Sequence, residues 1–258
     1  ALAWVDLMRA PISGFIGGAL LQDGSLGDLR VQLDIGAGRV ALAAQGAPLS
    51  FDAISAALRY DAATGRIGFD RFDLVAPELA FEAEGHADVS DGGDRFTAQF
   101  RMSGITVAPA GLFPAPLALD GAVLDLRLTL GPEPVIEIGQ AVIHDGGLEL
   151  RARGRIAARA EGLDLSIDAH LPEADTRTVM GYWPEAALSN TRRWLAQNVI
   201  EGRLSGVDFA LRRAAGEAPE HALSLDFDGV ALRALQSLPP ITEAAGYLSL
   251  VGPRLILR

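Results

Sequence analysis

The feature that most constrains this chain is a sustained alternation of apolar and polar residues. Leu29, Val31, Leu33 and Ile35 alternate with Arg30, Gln32 and Asp34. Leu124, Leu126 and Leu128 alternate with Asp125, Arg127 and Thr129, and Leu163, Leu165 and Ile167 with Asp164, Ser166 and Asp168. Phe96 to Met102 and Leu223 to Asp228 repeat the pattern, the latter through Leu225 and Phe227. In a strand, successive side chains point to opposite faces, so each segment has one apolar and one wetted face. Antiparallel sheets tolerate that division, whereas parallel sheets bury both faces. Asp-Gly, a strong hairpin signal, occurs at Asp23, Asp91, Asp120, Asp145 and Asp228, and Thr64-Gly65 is similarly placed. The expected fold is mainly β: an elongated, curled antiparallel sheet forming an open apolar groove, with short amphipathic helices inserted.

Alternation also reconciles two bulk properties. The 258 residues carry a formal charge of −11, yet 49% are hydrophobic and the mean hydropathy is +0.23. Charge belongs on one face and aliphatic residues on the other. With 33 acidic against 22 basic residues, all of them Arg, the chain is no nucleic-acid binder, which needs a basic face to displace counterions. Zero cysteines exclude disulfides, thiolate nucleophiles and Cys-ligated metals. No apolar run approaches the roughly 20 residues of a membrane-spanning helix, and no signal peptide is visible. Opening on Ala1 and ending within an apparent strand, the sequence reads as a segment of a larger chain.

Helical spacing is confined to three places. Trp4, Leu7, Met8, Ile12, Phe15, Ile16 and Leu20 suggest an amphipathic helical segment over 1–21. Sheet is expected over 22–171 and again over 206–258, with two short helices in 172–205. Asp175 can cap the first, with Val179, Met180 and Trp183 on one face before Pro184. Ser189 or Asn190 can cap the second, with Trp194, Leu195 and Val199 apolar and Gly202 as its stop. Trp183 and Trp194 are expected to anchor these helices on the sheet, or else to gate an apolar channel. Two internal echoes favour a repeating sheet. An offset of 178 places Asp23 to Leu33 on Glu201 to Leu211, each copy following an amphipathic helix. An offset of 69 places Ile67, Phe69, Leu79, Phe81 and Gly85 on Ile136, Ile138, Leu148, Leu150 and Gly154.

Catalytic and metal-binding patterns are weak. His86, His144, His170 and His221 are dispersed, without HxH or HExxH spacing. Asp88, Asp91 and Asp94 read as a hairpin tip rather than a calcium loop. Gly36-Ala37-Gly38 lacks the rest of a dinucleotide motif, and no GxSxG elbow is present. We expect no enzyme, cofactor or metal. Arg151, Arg153, Arg155 and Arg159 form a basic stripe, read as solvated outer face or as a contact for an anionic partner.

Residues 181–258 carry a family resemblance. Gly181-Tyr182-Trp183-Pro184-Glu185 precedes Thr191-Arg192-Arg193-Trp194-Leu195, then Gly202-Arg203-Leu204-Ser205-Gly206. After a strand come Phe227-Asp228-Gly229-Val230-Ala231-Leu232-Arg233 and Pro239-Pro240-Ile241. This order resembles the AsmA-like family of YhdP type, with Ala234 and Leu238 departing from an aromatic and a Trp common in relatives. The resemblance implies a Gram-negative periplasmic protein, anchored to the inner membrane by an N-terminal helix missing from this sequence. It implies phospholipids as cargo on the way to the outer membrane, and outer-membrane or other envelope proteins as partners.

A one-face-apolar sheet must cover that face with a second sheet, by closing into a barrel, or with lipid chains. The candidate lipid floor comprises Leu29, Val31, Leu33, Phe96, Phe100, Leu124, Leu126, Leu128, Leu163, Leu165, Ile167, Phe209, Leu211, Leu223, Leu225 and Phe227, with Ile67, Phe69, Leu79, Phe81, Ile136, Ile138, Leu148 and Leu150 of the second echo. The alternative is an envelope scaffold or assembly factor whose groove is filled by its own side chains.

Overall fold

A computed structural model describes residues 8–22, 24, 26–40, 48–111, 113, 115–183, 185, 189–233, 237, 239–252 and 254–258. Strands β1 (Met8–Arg9), β4 (Gly38–Val40) and β5 (Leu49–Phe51) form a small sheet of their own. The remaining fifteen strands form one antiparallel sheet. Its path follows chain order through β2 (Ile12–Leu20), β3 (Leu26–Ile35), β6 (Ala53–Asp61), β7 (Arg66–Val75), β8 (Leu79–Ser90) and β9 (Arg95–Val107). It continues through β11 (Gly121–Thr129), β12 (Val135–Asp145), β13 (Leu148–Arg159), β14 (Gly162–Asp175), β15 (Val199–Arg213), β16 (Glu220–Leu232), β17 (Ile241–Val251) and β18 (Arg254–Leu257). β10 (Leu117–Leu119) prolongs the line of β11 along β9. The edges β2 and β18 do not pair, so the sheet stays open rather than closing into a barrel. Helices α1 (Thr176–Tyr182) and α2 (Ser189–Asn198) lie between β14 and β15.

A single open layer has a measurable consequence. A compact protein of 27.1 kDa exposes about 11,000 Å². This chain exposes 15984 Å². No large side chain among the described residues is fully buried, and its most buried positions are mainly alanines such as Ala87, Ala98 and Ala157. The core is a carpet one side chain deep.

β-Bulges keep that carpet on one face. Strict alternation would send Phe72 and Leu74 to the opposite face from Ile67 and Phe69. An extra residue at Asp70-Arg71 restores them, because Phe69 pairs with Gly85 but Phe72 with Ala83. The same irregularity occurs at Gly139-Gln140, between Ile138–Gly154 and Ala141–Ala152. These two hairpins are superposed by the 69-residue offset, pair for pair and bulge for bulge, so the second echo is a structural repeat.

The first echo is not. The described part of the segment expected as helix over 1–21 is strand: β1 at Met8–Arg9, then β2 from Ile12 to Leu20, paired with β3 from Ile12–Ile35 to Leu20–Leu26. Gly14, Gly17 and Gly18 each disfavour a helix by about 1 kcal/mol relative to Ala, and the free edge of β3 supplies backbone partners instead. Trp4, Leu7, Asp23, Ser25, Pro184, Ala234 and Leu238 lie outside the described residues. The helical stretch is narrower than 172–205, since β14 runs to Asp175 and β15 begins at Val199. Gly202 is no helix stop: it sits inside β15, where a Cβ would lie 2.5 Å from Val230 Cγ2.

The Asp-Gly pairs divide. Asp91-Gly92 turns β8 into β9, and Asp145-Gly146 turns β12 into β13. Asp120-Gly121 instead marks the break between β10 and β11. Asp228-Gly229 is a bulge within β16, with Gly229 at φ 58°. The left-handed conformation that suits glycine in a hairpin also serves a bulge.

Candidate functional site, the apolar face

Register pairs trace an unbroken row across the whole sheet. It runs Ile16, Val31, Leu58, Phe69, Gly85, Phe100 and Leu124. It continues through Ala141, Ala152, Ala169, Phe209, Leu223, Leu250 and Leu255. Every member is apolar or glycine. At about 4.8 Å per strand the row spans roughly 60 Å. The rows beside it carry Leu126–Ala98, Leu126–Ile138, Leu128–Phe96, Leu128–Ile136, Leu165–Ile156, Ile167–Leu211, Leu225–Leu248 and Phe227–Gly246. All the candidate floor residues, from Leu29, Val31 and Leu33 through Leu79, Phe81, Leu148, Leu150 and Leu163 to Phe227, therefore share one face.

That face is open. Leu225 is buried, Leu79 and Phe209 are exposed, and the other floor candidates lie between. Exposure rises at both edges, to 69% at Ile16 and 64% at Leu257. The densest packing is aromatic. Phe69 and Phe100 meet edge to face with centroids 5.1 Å apart across Gly85, and Phe72 lies 6.0 Å from Phe81. A Cβ on Gly85 would fall 2.0 Å from the Gln99 carbonyl oxygen, so only glycine fits.

The floor residues that alternation missed are those beyond bulges or next to them: Phe72, Leu74, Ala141, Ile143, Ile105 and Val230. The available signal was a pair of consecutive polar or glycine residues interrupting each run. Leu58, Leu248 and Leu250 needed only a longer scan.

The opposite face is a lattice of cross-strand ion pairs. Arg66 holds Asp88 through two hydrogen bonds of 2.7 and 2.9 Å, keeping that carboxyl below its usual range. Arg59 pairs with Asp70, Arg127 with Glu137 at 3.2 Å, and Arg212 with Asp168 at 2.5 Å. Within the basic stripe, Arg151 pairs with Glu149, Arg153 with Asp168, and Arg159 with Asp164 and Glu133. That matches the solvated-face reading. His170 Nδ1 lies 2.8 Å from Asp208 Oδ1. Exposed pairs of this kind are individually weak, because water and salt screen them and both side chains lose freedom. Two shallow hollows, of about 640 and 840 Å³, take in charged-face residues together with parts of neighbouring apolar-row residues such as Phe209 and Leu223. The first is lined by Arg151, Arg153, His170, Asp208 and Tyr247, the second by Asp73, Glu84, Arg101 and His144.

The helices sit at the strand end that includes the Asp145 turn. The Asp175 carboxylate caps α1, accepting from the Thr178 hydroxyl and from the Thr178 N–H at 2.9 Å, and these bonds, the hydroxyl's first, hold its pKa low. Tyr182 Oη donates to Asp145; burial first, then that carboxylate, push the phenol up to about 12. Arg192 Nε donates to the Trp183 carbonyl at 3.1 Å, tying α2 to the end of α1. Trp183, which ends α1, is partly buried. Trp194 is 45% exposed, so it does not anchor α2 to the sheet as expected. Thr191, Arg192 and Leu195 are instead the more protected side of α2.

Among the described residues, no cluster of His, Asp and Glu is arranged to hold a metal ion, and no helix is long and apolar enough to cross a membrane. No protein-family model, curated protein or solved structure matches the chain.

Proposed function

We propose that the apolar face is a lipid-carrying surface, on which phospholipid acyl chains lie while headgroups remain in water. The carrying observation is a continuous apolar face about 60 Å long whose large side chains are left partly open. Each methylene covered contributes about 0.8 kcal/mol, and contacts of similar strength along the rows give a shallow profile suited to sliding. The absence of fully buried large side chains among the described residues weighs against a self-packed scaffold. The resemblance to the AsmA-like family supports the same reading. On it, the chain is a segment of a periplasmic protein tethered to the inner membrane of a Gram-negative cell, passing phospholipid toward the outer membrane, with no catalysis. Native mass spectrometry and solvent extraction of gently purified protein should find phospholipid in stoichiometric amounts. A lipid-free protein that also fails to take up phospholipid from vesicles overturns the proposal.

A further inference from the structure

We propose that the exposed face of α2 docks the protein on an anionic bilayer surface, bringing one end of the sheet to a membrane. Three observations carry this. First, the exposed positions of α2, Ser189, Asn190, Arg193, Trp194, Ala196 and Gln197, fall on one broad side of the helix, with Arg193 and Trp194 its large side chains. Its more protected positions, Thr191, Arg192, Leu195 and Asn198, fall on the other. Arg192 is occupied by backbone carbonyls at the end of α1, so Arg193 is the cation that projects with Trp194.

Second, residues 176–198 hold three arginines against a single glutamate, in a chain whose net charge is −11. They also hold two of its three Trp and one of its three Tyr. Cations and aromatic rings together suit the headgroup level of a bilayer, where an indole buries its ring and keeps its N–H wet. Third, two large apolar side chains are left exposed in and just beyond the helix, Trp194 at 45% and Ile200 at 42%. Asp145 and Asp175 are held inward by Tyr182 and by the N-terminus of α1, so the charge that α2 itself presents to a membrane is the Arg193 guanidinium. Such a contact is reversible, as transient unloading requires, because one short helix with few anchors binds weakly.

The lipid-carrying reading gives this dock its purpose but none of its evidence. The test is co-sedimentation of the whole chain with vesicles of phosphatidylcholine, with and without 30% phosphatidylglycerol, read also by quenching of Trp fluorescence with brominated lipid. Binding should require phosphatidylglycerol. Arg193→Glu should weaken it about 30-fold, the effect of two charge units near an anionic surface. Trp194→Ser should weaken it roughly tenfold and remove most of the quenching. Arg153→Glu, on the charged sheet face, should leave it unchanged. Failure of the unaltered chain to bind, or equal binding by the α2 variants, overturns the proposal. So does an equal loss in Arg153→Glu. Phospholipid extracted from the same preparations reports separately on the apolar face, so either idea can fail alone.

Discussion

Leu126 is the most informative position for testing whether the apolar face is open. It lies on β11 between Ala98 of β9 and Ile138 of β12, near the middle of the sheet, and is partly buried. Leu126→Ala removes about three carbon groups, worth roughly 2.4 kcal/mol if they were wholly buried. On an open face part of that surface already meets water and the vacated space is filled by solvent, so no cavity term is added. The expected loss for delipidated protein is about 1–1.5 kcal/mol. In a closed core the same change costs about 3–5 kcal/mol, because the void remains. Leu126→Asp sharpens the contrast. On an open face its carboxylate stays hydrated and adds only the strand-propensity penalty of about 1 kcal/mol, so the chain still folds. In a closed core an unpaired carboxylate would prevent folding. Urea titration followed by far-UV circular dichroism measures both variants, and extraction measures bound phospholipid, which Leu126→Asp should deplete. A loss above about 3 kcal/mol for Leu126→Ala, or an unfolded Leu126→Asp, would refute the open-face argument. A folded Leu126→Asp that retains its phospholipid would refute the carrying role of this row.

Gly85→Ala should destabilise by about 1–3 kcal/mol, since its Cβ would land 2.0 Å from the Gln99 carbonyl oxygen beneath the Phe69–Phe100 contact. Gly68→Ala, whose nearest atom is 3.8 Å away, should be close to neutral; equal midpoints in urea for the two variants would contradict the close approach. A difference ultraviolet titration between the protein and Tyr182→Phe should show one phenol ionising near 12. The fold favours the neutral phenol, so its contribution is complete below pH 10 and is lost as pH rises toward 12. Asp145→Asn should lower that value only in part, because burial is the leading cause; a phenol ionising near 10 in the unaltered protein would place Tyr182 in water.

The two-faced sheet was legible because period two is the local pattern that a strand imposes on side-chain direction. What alternation alone could not follow was the change of phase at each bulge. Ile67, Phe69, Phe72 and Leu74 look like a broken pattern until Asp70-Arg71 is counted as one step. The N-terminal segment was ambiguous for another reason. Ile12, Phe15 and Ile16 fit three-four spacing, while Ile12, Gly14, Ile16 and Gly18 fit period two. Only a neighbouring strand with unpaired backbone decides between them. The cap at Asp175 was legible because it depends on residues three apart. The exposure of Trp194 was not, since Arg192 fixes how α2 turns through a contact with the preceding helix.

The openness of the sheet and the proposed cargo are physically linked. An unfolded chain of 27.1 kDa exposes about 39,000 Å², of which a compact protein this size buries nearly three quarters. Leaving 15984 Å² exposed lowers that share to about 60%, the level typical of a 60-residue domain. Cross-strand ion pairs on the charged face cannot compensate, because exposed pairs are individually weak. A ligand that covers the apolar face and has no affinity for the unfolded chain stabilises the fold by mass action. In the lipid-carrying role proposed above, acyl chains would meet that condition along the row from Ile16 to Leu255. On that proposal, similar contacts across a floor of aliphatic and Phe side chains hold no acyl chain in a fixed place, so the surface would supply cohesion and still release its cargo.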